Sequence, residues 1–420
     1  MESPRIAKLG HSLNGPEARN KLEDFWAEVK RSGAPLVEKI PGDKNHLLVT
    51  FLWKGSERTT KHVLIPLAPA VSGDLKNSMM KHLPNSDVWY KSYRLPADAR
   101  TTYALAPNAL LTPFGDIHDI EERLMSYKSD PLNPHKFIET HVRNAETGEK
   151  MVFPASILEL PKAKPKPWLN ARRDVSKGTL TPSRMRSDIL HNERRIWVYT
   201  PSAYSAKETK GYGLMILMDG VDYLEYMSAV TMLDNLIADK VIPPLVVVFV
   251  DVIDTKTRYV ELSCYQPFVD FLTKELLPWV ESNYNVTRDR RRRIIGGLSL
   301  GGLCATYAGL KSSELFENVL VQSGAYSWKD IPDNPNKEDE WLVRRFESEP
   351  KKPLRFHLEV GQFEKSTPGP DMLTANRDMR DVLRAKGYEV EYSEYHGAHD
   401  YICWEGTMPE ALVFATKSWK

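Results

Sequence analysis

The chain has 420 residues, 41% of them hydrophobic and 10% aromatic, which is enough apolar material for two ordinary cores and excludes a disordered chain. Lys and Arg total 57 against 56 Asp and Glu, so no net field draws the protein to nucleic acid or to an anionic bilayer. Three cysteines, Cys264, Cys304 and Cys403, have neither the number nor the spacing of a disulfide framework or a zinc site.

The first residues contain no apolar signal core, and the longest apolar run, Pro243 to Val250, is too short to span a bilayer, so a cytoplasmic protein is expected. A helix is predicted over Pro16 to Ser32, with Leu22, Phe25, Trp26 and Val29 on one face and Gly33 as its stop. Segments 46–55, 61–69, 88–96 and 101–107 follow, rich in Val, Leu, Thr, Trp and Tyr and bounded by turn residues. Their spacing predicts a β-sandwich over residues 1–160. Between 161 and 187, Pro161, Pro165, Pro167 and Pro182 are interleaved with Lys and Arg, the composition of an extended linker.

From 188 to 420 strands and amphipathic helices alternate. RRIWVYTP (194–201), LMILMDG (214–220) and PLVVVFVD (244–251) read as strands. The last is apolar almost throughout, as a strand covered by helices on both faces must be, which predicts a mostly parallel sheet. A helix around Tyr265 to Tyr284 leads to a strand at Arg293 to Gly296, and later strands are expected at 317–323, 354–360 and 389–395.

Gly297-Leu298-Ser299-Leu300-Gly301 has the form G-x-S-x-G between that short strand and an apolar helix, the context of a nucleophile elbow. Both glycines are needed there because the turn is tight and packs closely on its neighbours. A serine hydroxyl attacks at neutral pH only if a histidine takes its proton, and an acid commonly orients that histidine. Of the histidines after Ser299, His357 sits inside an alternating strand, His396 ends the final strand, and His399 stands free in the loop beyond it, so His399 is the expected base. Glu364, in Gly361-Gln362-Phe363-Glu364 just past the preceding strand, is the first candidate acid; Asp371 and a pair without an acid remain alternatives. The oxyanion of the tetrahedral intermediate calls for two N–H donors: Leu300 at the helix start, and Gly220 or Val221 after LMILMDG. There is no H-E-x-x-H, and the His118-Asp119 pair is isolated, so no metal site is expected.

With these residues in view, the chain resembles the enterobactin (enterochelin) esterase family of ferric catecholate siderophore hydrolases. The similar segments include FWAEVKRSGAPLVE (25–38), DVWYKSYRLPADARTTYALAP (87–107), LMDGVDY (217–223), GGLSLGGL (296–303), GQFE (361–364) and GAHDYICW (397–404). The resemblance implies an immunoglobulin-like N-terminal domain and a C-terminal α/β-hydrolase domain of the esterase D type, with Ser299 and His399 at the catalytic positions. It implies a serine esterase opening a catecholate trilactone such as enterobactin, with no cofactor beyond the iron carried by the substrate. The family commonly has two glycines before the histidine where this chain has Gly397-Ala398.

An anionic ferric siderophore calls for cationic side chains at the pocket mouth; Arg258, in RYVEL, is the first candidate, with pairing to Glu261 as its structural alternative. The run Arg290 to Arg293 precedes the elbow strand, at the end of the sheet away from the active site, and reads as a solvated loop. The charged segment 329–352 interrupts the α/β rhythm, either as a lid anchored by Trp341 and Phe346 or as a surface helix. Two other functions remain open: a general esterase of the feruloyl type, and a siderophore-binding protein without catalysis.

Overall fold

The computed structural model describes residues 1–56, 58–65, 75–111, 125–365 and 371–419; the end of the segment 61–69 and the His118-Asp119 pair lie outside the described residues. Two helices open the chain, Pro4–Ser12 and Ala18–Ser32. The first is additional to the expected elements: the Ser3 hydroxyl accepts from the Ile6 N–H at 3.3 Å, and Pro4 fits the first turn, where no N–H is needed. Gly33, at φ 80°, ends the second.

Among the described residues of the N-terminal half, nine strands follow: β1 (Leu36–Ile40), β2 (Asp43–Lys54), β3 (Val63–Leu64), β4 (Lys81–His82), β5 (Val88–Pro96), β6 (Arg100–Tyr103), β7 (Ala106–Pro107), β8 (Lys136–Asn144) and β9 (Glu149–Glu159). They form antiparallel sheets ordered β1-β2-β5-β4 and β6-β9-β8, plus the pair β3-β7. Val49, Phe51, Tyr93 and Leu95 of the first sheet meet Tyr103 and Leu158 of the second in one buried cluster. Leu52, Val88 and Tyr90 instead pack with Ile6, Phe25, Trp26 and Val29 of the helices, so both faces of β2 are covered and its apolar run is nearly continuous.

The C-terminal half is built on one sheet of eight strands. These are β10 (Thr179–Ser187), β11 (Asn192–Thr200), β12 (Gly213–Leu217), β13 (Leu245–Val250), β14 (Arg293–Leu298), β15 (Asn318–Gln322), β16 (Arg355–Gly361) and β17 (Glu389–Tyr395). Their order is β10-β11-β13-β12-β14-β15-β16-β17, with β11 antiparallel to both its neighbours and every other pairing parallel. On β13, Val246, Val248 and Val250 enter one core cluster with Phe268 and Leu303, while Leu245, Val247 and Phe249 enter the opposite one with Met232 and Leu412.

The stretch expected as a linker, 161–187, is corrected at its C-terminal end: residues 179–187 are the edge strand β10. Pro182 is compatible with that position because an edge strand has only one ladder to maintain. Residues 161–178 form no helix or strand but are tied down, Arg172 and the Trp168 indole both binding Asp239. The two halves also meet directly: the Asp400 carboxylate accepts from the Thr102 N–H and the Thr101 hydroxyl, both at 2.9 Å.

Candidate active site

Ser299 stands between the end of β14 and the helix Leu300–Lys311, at φ 56° and ψ −121°, a conformation a serine adopts only when its surroundings impose it. Its N–H donates to the Gln322 carbonyl at 2.9 Å, and its carbonyl accepts from the Ala325 N–H at 3.0 Å. A Cβ on Gly297 would lie 2.4 Å from the carbonyl carbon of Gly301, and one on Gly301 would lie 2.7 Å from an Asp219 carboxylate oxygen. The two glycines of the motif are thus required by contact with each other and with the neighbouring loop.

The Ser299 Oγ lies 2.9 Å from His399 Nε2, and His399 Nδ1 lies 2.7 Å from Glu364 Oε2. His399 remains partly exposed, whereas the Glu364 side chain is 1% exposed. The other Glu364 oxygen accepts from the Gly361 N–H at 2.7 Å and the Ser323 hydroxyl at 2.6 Å, and Ser323 in turn accepts from the Trp404 indole at 2.9 Å. The Trp404 ring also packs edge-on against His399, with centroids 4.7 Å apart. A carboxylate held this way accepts a hydrogen bond from Nδ1–H, keeps the ring proton on that nitrogen and leaves Nε2 free to accept from the serine. Ser323 and Trp404 were not among the expected site residues.

The alternatives are placed elsewhere. Asp371 caps the helix Met372–Ala385, accepting from the Thr374 N–H at 2.6 Å. His396 pairs with Asp98 at 2.7 Å. His357 is buried within β16, where loss of solvent pushes its pKa down to about 4.

Gly220 and Val221 open the short helix Gly220–Glu225, and Leu300 opens the helix after the elbow. First-turn N–H groups have no partner within their own helix, so all three are available as donors in kind. A Cβ on Gly220 would meet the Phe249 backbone at 2.6 Å, which is why only glycine lets this turn lie against β13. Val221, Leu298, Ser299 and His399 line one cavity of about 1900 Å³.

Arg258 lines that cavity too, but its guanidinium is engaged: Nε and Nη2 donate to the two carboxylate oxygens of buried Asp219 at 2.7 and 2.9 Å. The structural alternative is therefore corrected, since Glu261 is held instead by buried Arg194 at 2.7 and 2.8 Å. Asp219, at φ 56°, directly precedes Gly220, so Arg258 braces the turn beside the serine. Asp222, on the same turn, accepts from the Tyr401 hydroxyl at 2.8 Å, and burial, reinforced by the Asp219 charge, pushes its pKa up from the usual carboxylate range. His141 of β8 approaches Asp222 to 4.0 Å; burial disfavours its charged form, but Glu139 and Asp222 outweigh this and raise its pKa.

The basic run lies at the far end of β14, as expected, but it is not a solvated loop throughout. Arg293 is buried against Glu281 and the Thr287 carbonyl, Arg290 pairs with Glu317, and Arg291 pairs with Asp289. In the segment 329–352, Lys329 to Ile331 and Lys337 line the cavity, while the helix Trp341–Ser348 places Trp341 and Phe346 in the core.

Among the described residues no helix is long and apolar enough to cross a membrane. The family model described as a putative esterase matches residues 187–415, and the model for the N-terminal domain of enterochelin esterase matches 48–169. The chain is 31% identical to the iron(III) enterobactin esterase of Dickeya dadantii, over 94% of this chain and 93% of that protein. The crystal structure of the Shigella flexneri enterobactin esterase in the presence of enterobactin matches with a TM-score of 0.72 at 26% identity, over 95% of this chain and 99% of that one. The ferric enterobactin esterase of Salmonella typhimurium gives a TM-score of 0.74 at 26% identity, over 94% and 99%.

Proposed function

Because the chain belongs to the iron(III) enterobactin esterase family, we propose that it hydrolyses the ester bonds of a catecholate siderophore trilactone, with Ser299, His399 and Glu364 as its catalytic residues. The observation that carries the mechanism is the continuous relay from Ser299 Oγ through the imidazole to a buried, fully hydrogen-bonded carboxylate. His399 Nε2 takes the serine proton as Oγ attacks the ester carbonyl, and Glu364 stabilises the imidazolium that forms. The N–H groups of Leu300 and of Gly220 or Val221 receive the oxyanion. Collapse expels the alkoxide, which takes the proton from His399 and leaves an acyl group on Ser299. Water, deprotonated by His399, then attacks the acyl carbon, and as the second tetrahedral species collapses the bond to Oγ breaks, His399 gives its proton to Ser299 Oγ and the acid is released.

In this reading residues 1–160 form an immunoglobulin-like domain and the strands from β10 onward an α/β-hydrolase domain of the esterase D type. The protein works in the cytoplasm without a cofactor of its own, and iron enters only inside the substrate. A match extending through the N-terminal half favours a siderophore over a feruloyl-type ester, and the relay favours a catalyst over a passive binder.

The test is hydrolysis of the iron-free and ferric trilactones beside a feruloyl ester, with fluorophosphonate labelling of the wild type and Ser299→Ala. The expected result is turnover of the trilactone and a Ser299-dependent label. Faster turnover of the feruloyl ester, or no label on folded protein, refutes the proposal.

A further inference from the structure

We infer that Tyr259 and Trp328 form an aryl subsite, which holds one aromatic ring of an aroyl-substituted ester while its carbonyl lies at Ser299; the identity of that ester as a catecholate rests on the reading above. The two rings are stacked, with centroids 5.4 Å apart and planes 6° from parallel. Both line the cavity that holds Ser299 and His399.

The pair is not a core contact. Tyr259 is 46% exposed and its neighbour Val260 49%, whereas Trp328 rests on the edge of the hydrolase core. A partly exposed apolar wall inside the cavity that holds Ser299 and His399 is a surface suited to ligand. Aromatic rings associate by offset stacking or edge-to-face contact, so a planar wall selects a planar partner over an alkyl chain.

Its placement relative to the chemistry is set by the backbone. The Trp328 N–H donates to the Ala325 carbonyl at 3.0 Å, and the Ala325 N–H donates to the Ser299 carbonyl at 3.0 Å. On the other side, Tyr259 follows Arg258, whose guanidinium grips Asp219 beside Gly220. One ring is thus tied to the nucleophile and the other to the adjacent oxyanion turn. The Trp328 indole N–H is also held, by the Asp330 carbonyl at 3.1 Å. The platform should therefore act through binding of the aryl group and leave the acyl-transfer step itself intact.

The test compares Tyr259→Ala, Trp328→Ala and the double variant with the wild type on two esters, the iron-free tris(dihydroxybenzoylserine) trilactone and ethyl butyrate. KM for the aroyl ester should rise roughly tenfold per ring removed with kcat little changed, while kcat/KM for ethyl butyrate stays constant. Tyr259→Phe and Trp328→Phe should retain most of the affinity. Binding of dihydroxybenzoylserine to the Ser299→Ala protein, followed by calorimetry, should weaken in the double variant. If the wild type does not open the trilactone, the siderophore reading fails, and the subsite is judged on ethyl benzoate against ethyl butyrate by the same ratio. The inference is overturned if the double variant binds and turns over aroyl esters as the wild type does, or loses both ester classes in equal proportion.

Discussion

Glu364→Gln is the sharpest perturbation of the relay. The side chain is nearly isosteric, so its carbonyl oxygen can keep the Gly361 N–H and Ser323 contacts that fix the native carboxylate. Its amide then faces His399 Nδ1, where the native carboxylate oxygen sits at 2.7 Å. An amide N–H in that place requires Nδ1 to accept, so the ring proton moves to Nε2 and the group 2.9 Å from Ser299 can no longer act as a base. Because the native carboxylate is 1% exposed, water cannot substitute for its charge beside the imidazolium.

The wrong tautomer in a serine triad lowers kcat by about four orders of magnitude, which corresponds to roughly 5.5 kcal/mol of lost transition-state stabilisation. Single-turnover acylation of Glu364→Gln should slow by about that factor, with the thermal midpoint close to wild type. Asp371→Ala is the control: removing a helix cap costs about 1 kcal/mol of stability and should leave acylation unchanged. Acylation by Glu364→Gln within tenfold of wild type would refute the reasoning and leave a Ser-His pair as the working machinery.

Arg258→Ala strands the buried Asp219 carboxylate beside Gly220, so stability should fall by roughly 3–5 kcal/mol in chemical denaturation and kcat should drop more than KM rises. His357, ordinarily near 6.5 but held down to about 4 by burial, stays neutral in the fold while the unfolded imidazole takes a proton. Stability should therefore fall as pH drops from 6.5 toward 4, by on the order of 3 kcal/mol, and His357→Leu should flatten that limb in urea melts at stepped pH. Glu359 has the opposite dependence: burial pushes its pKa from 4.5 up to about 8, so stability is greatest below 4.5 and declines as pH rises toward 8. Glu359→Gln should remove that decline, measured the same way, while leaving the serine label intact.

The residues proposed as catalytic were legible because their requirements are local. The elbow needs glycines three-dimensionally close to each other, and Gly297 and Gly301 meet that condition within one turn. Glu364 and His399 each follow the end of a parallel strand, and chain order alone delivers such loops to the same edge of the sheet. What escaped is what depends on distant packing. Ser323 and Trp404 complete the carboxylate's surroundings from β15's end and from the helix Tyr401–Thr416, and nothing in their own neighbourhoods marks them. Arg258 suffers the same limit. A partner three residues away, Glu261, is the natural local expectation, yet the fold gives Glu261 to Arg194 and brings Asp219 to Arg258 from 39 positions away. Strand β10 was hidden because an edge strand tolerates Pro182 and polar side chains, and so reads as linker.

The near-neutral composition acquires a structural meaning at the cavity. Several cations on its wall are matched by nearby carboxylates: Arg195 with Asp251, Arg258 with Asp219, Lys329 with Asp339 and Lys337 with Asp330. These pairs limit how much of the pocket's attraction can come from unpaired positive charge, and leave shape and aromatic contact to discriminate among esters. The walls that could do so come from both halves of the chain, His141 and Phe153 from β8 and β9 facing the same space as Tyr259 and Trp328. An ester small enough to need only Ser299, His399 and the oxyanion turn would leave most of a cavity of about 1900 Å³ empty. The N-terminal half therefore bears on which substrate is held, and the elbow on what is done to it.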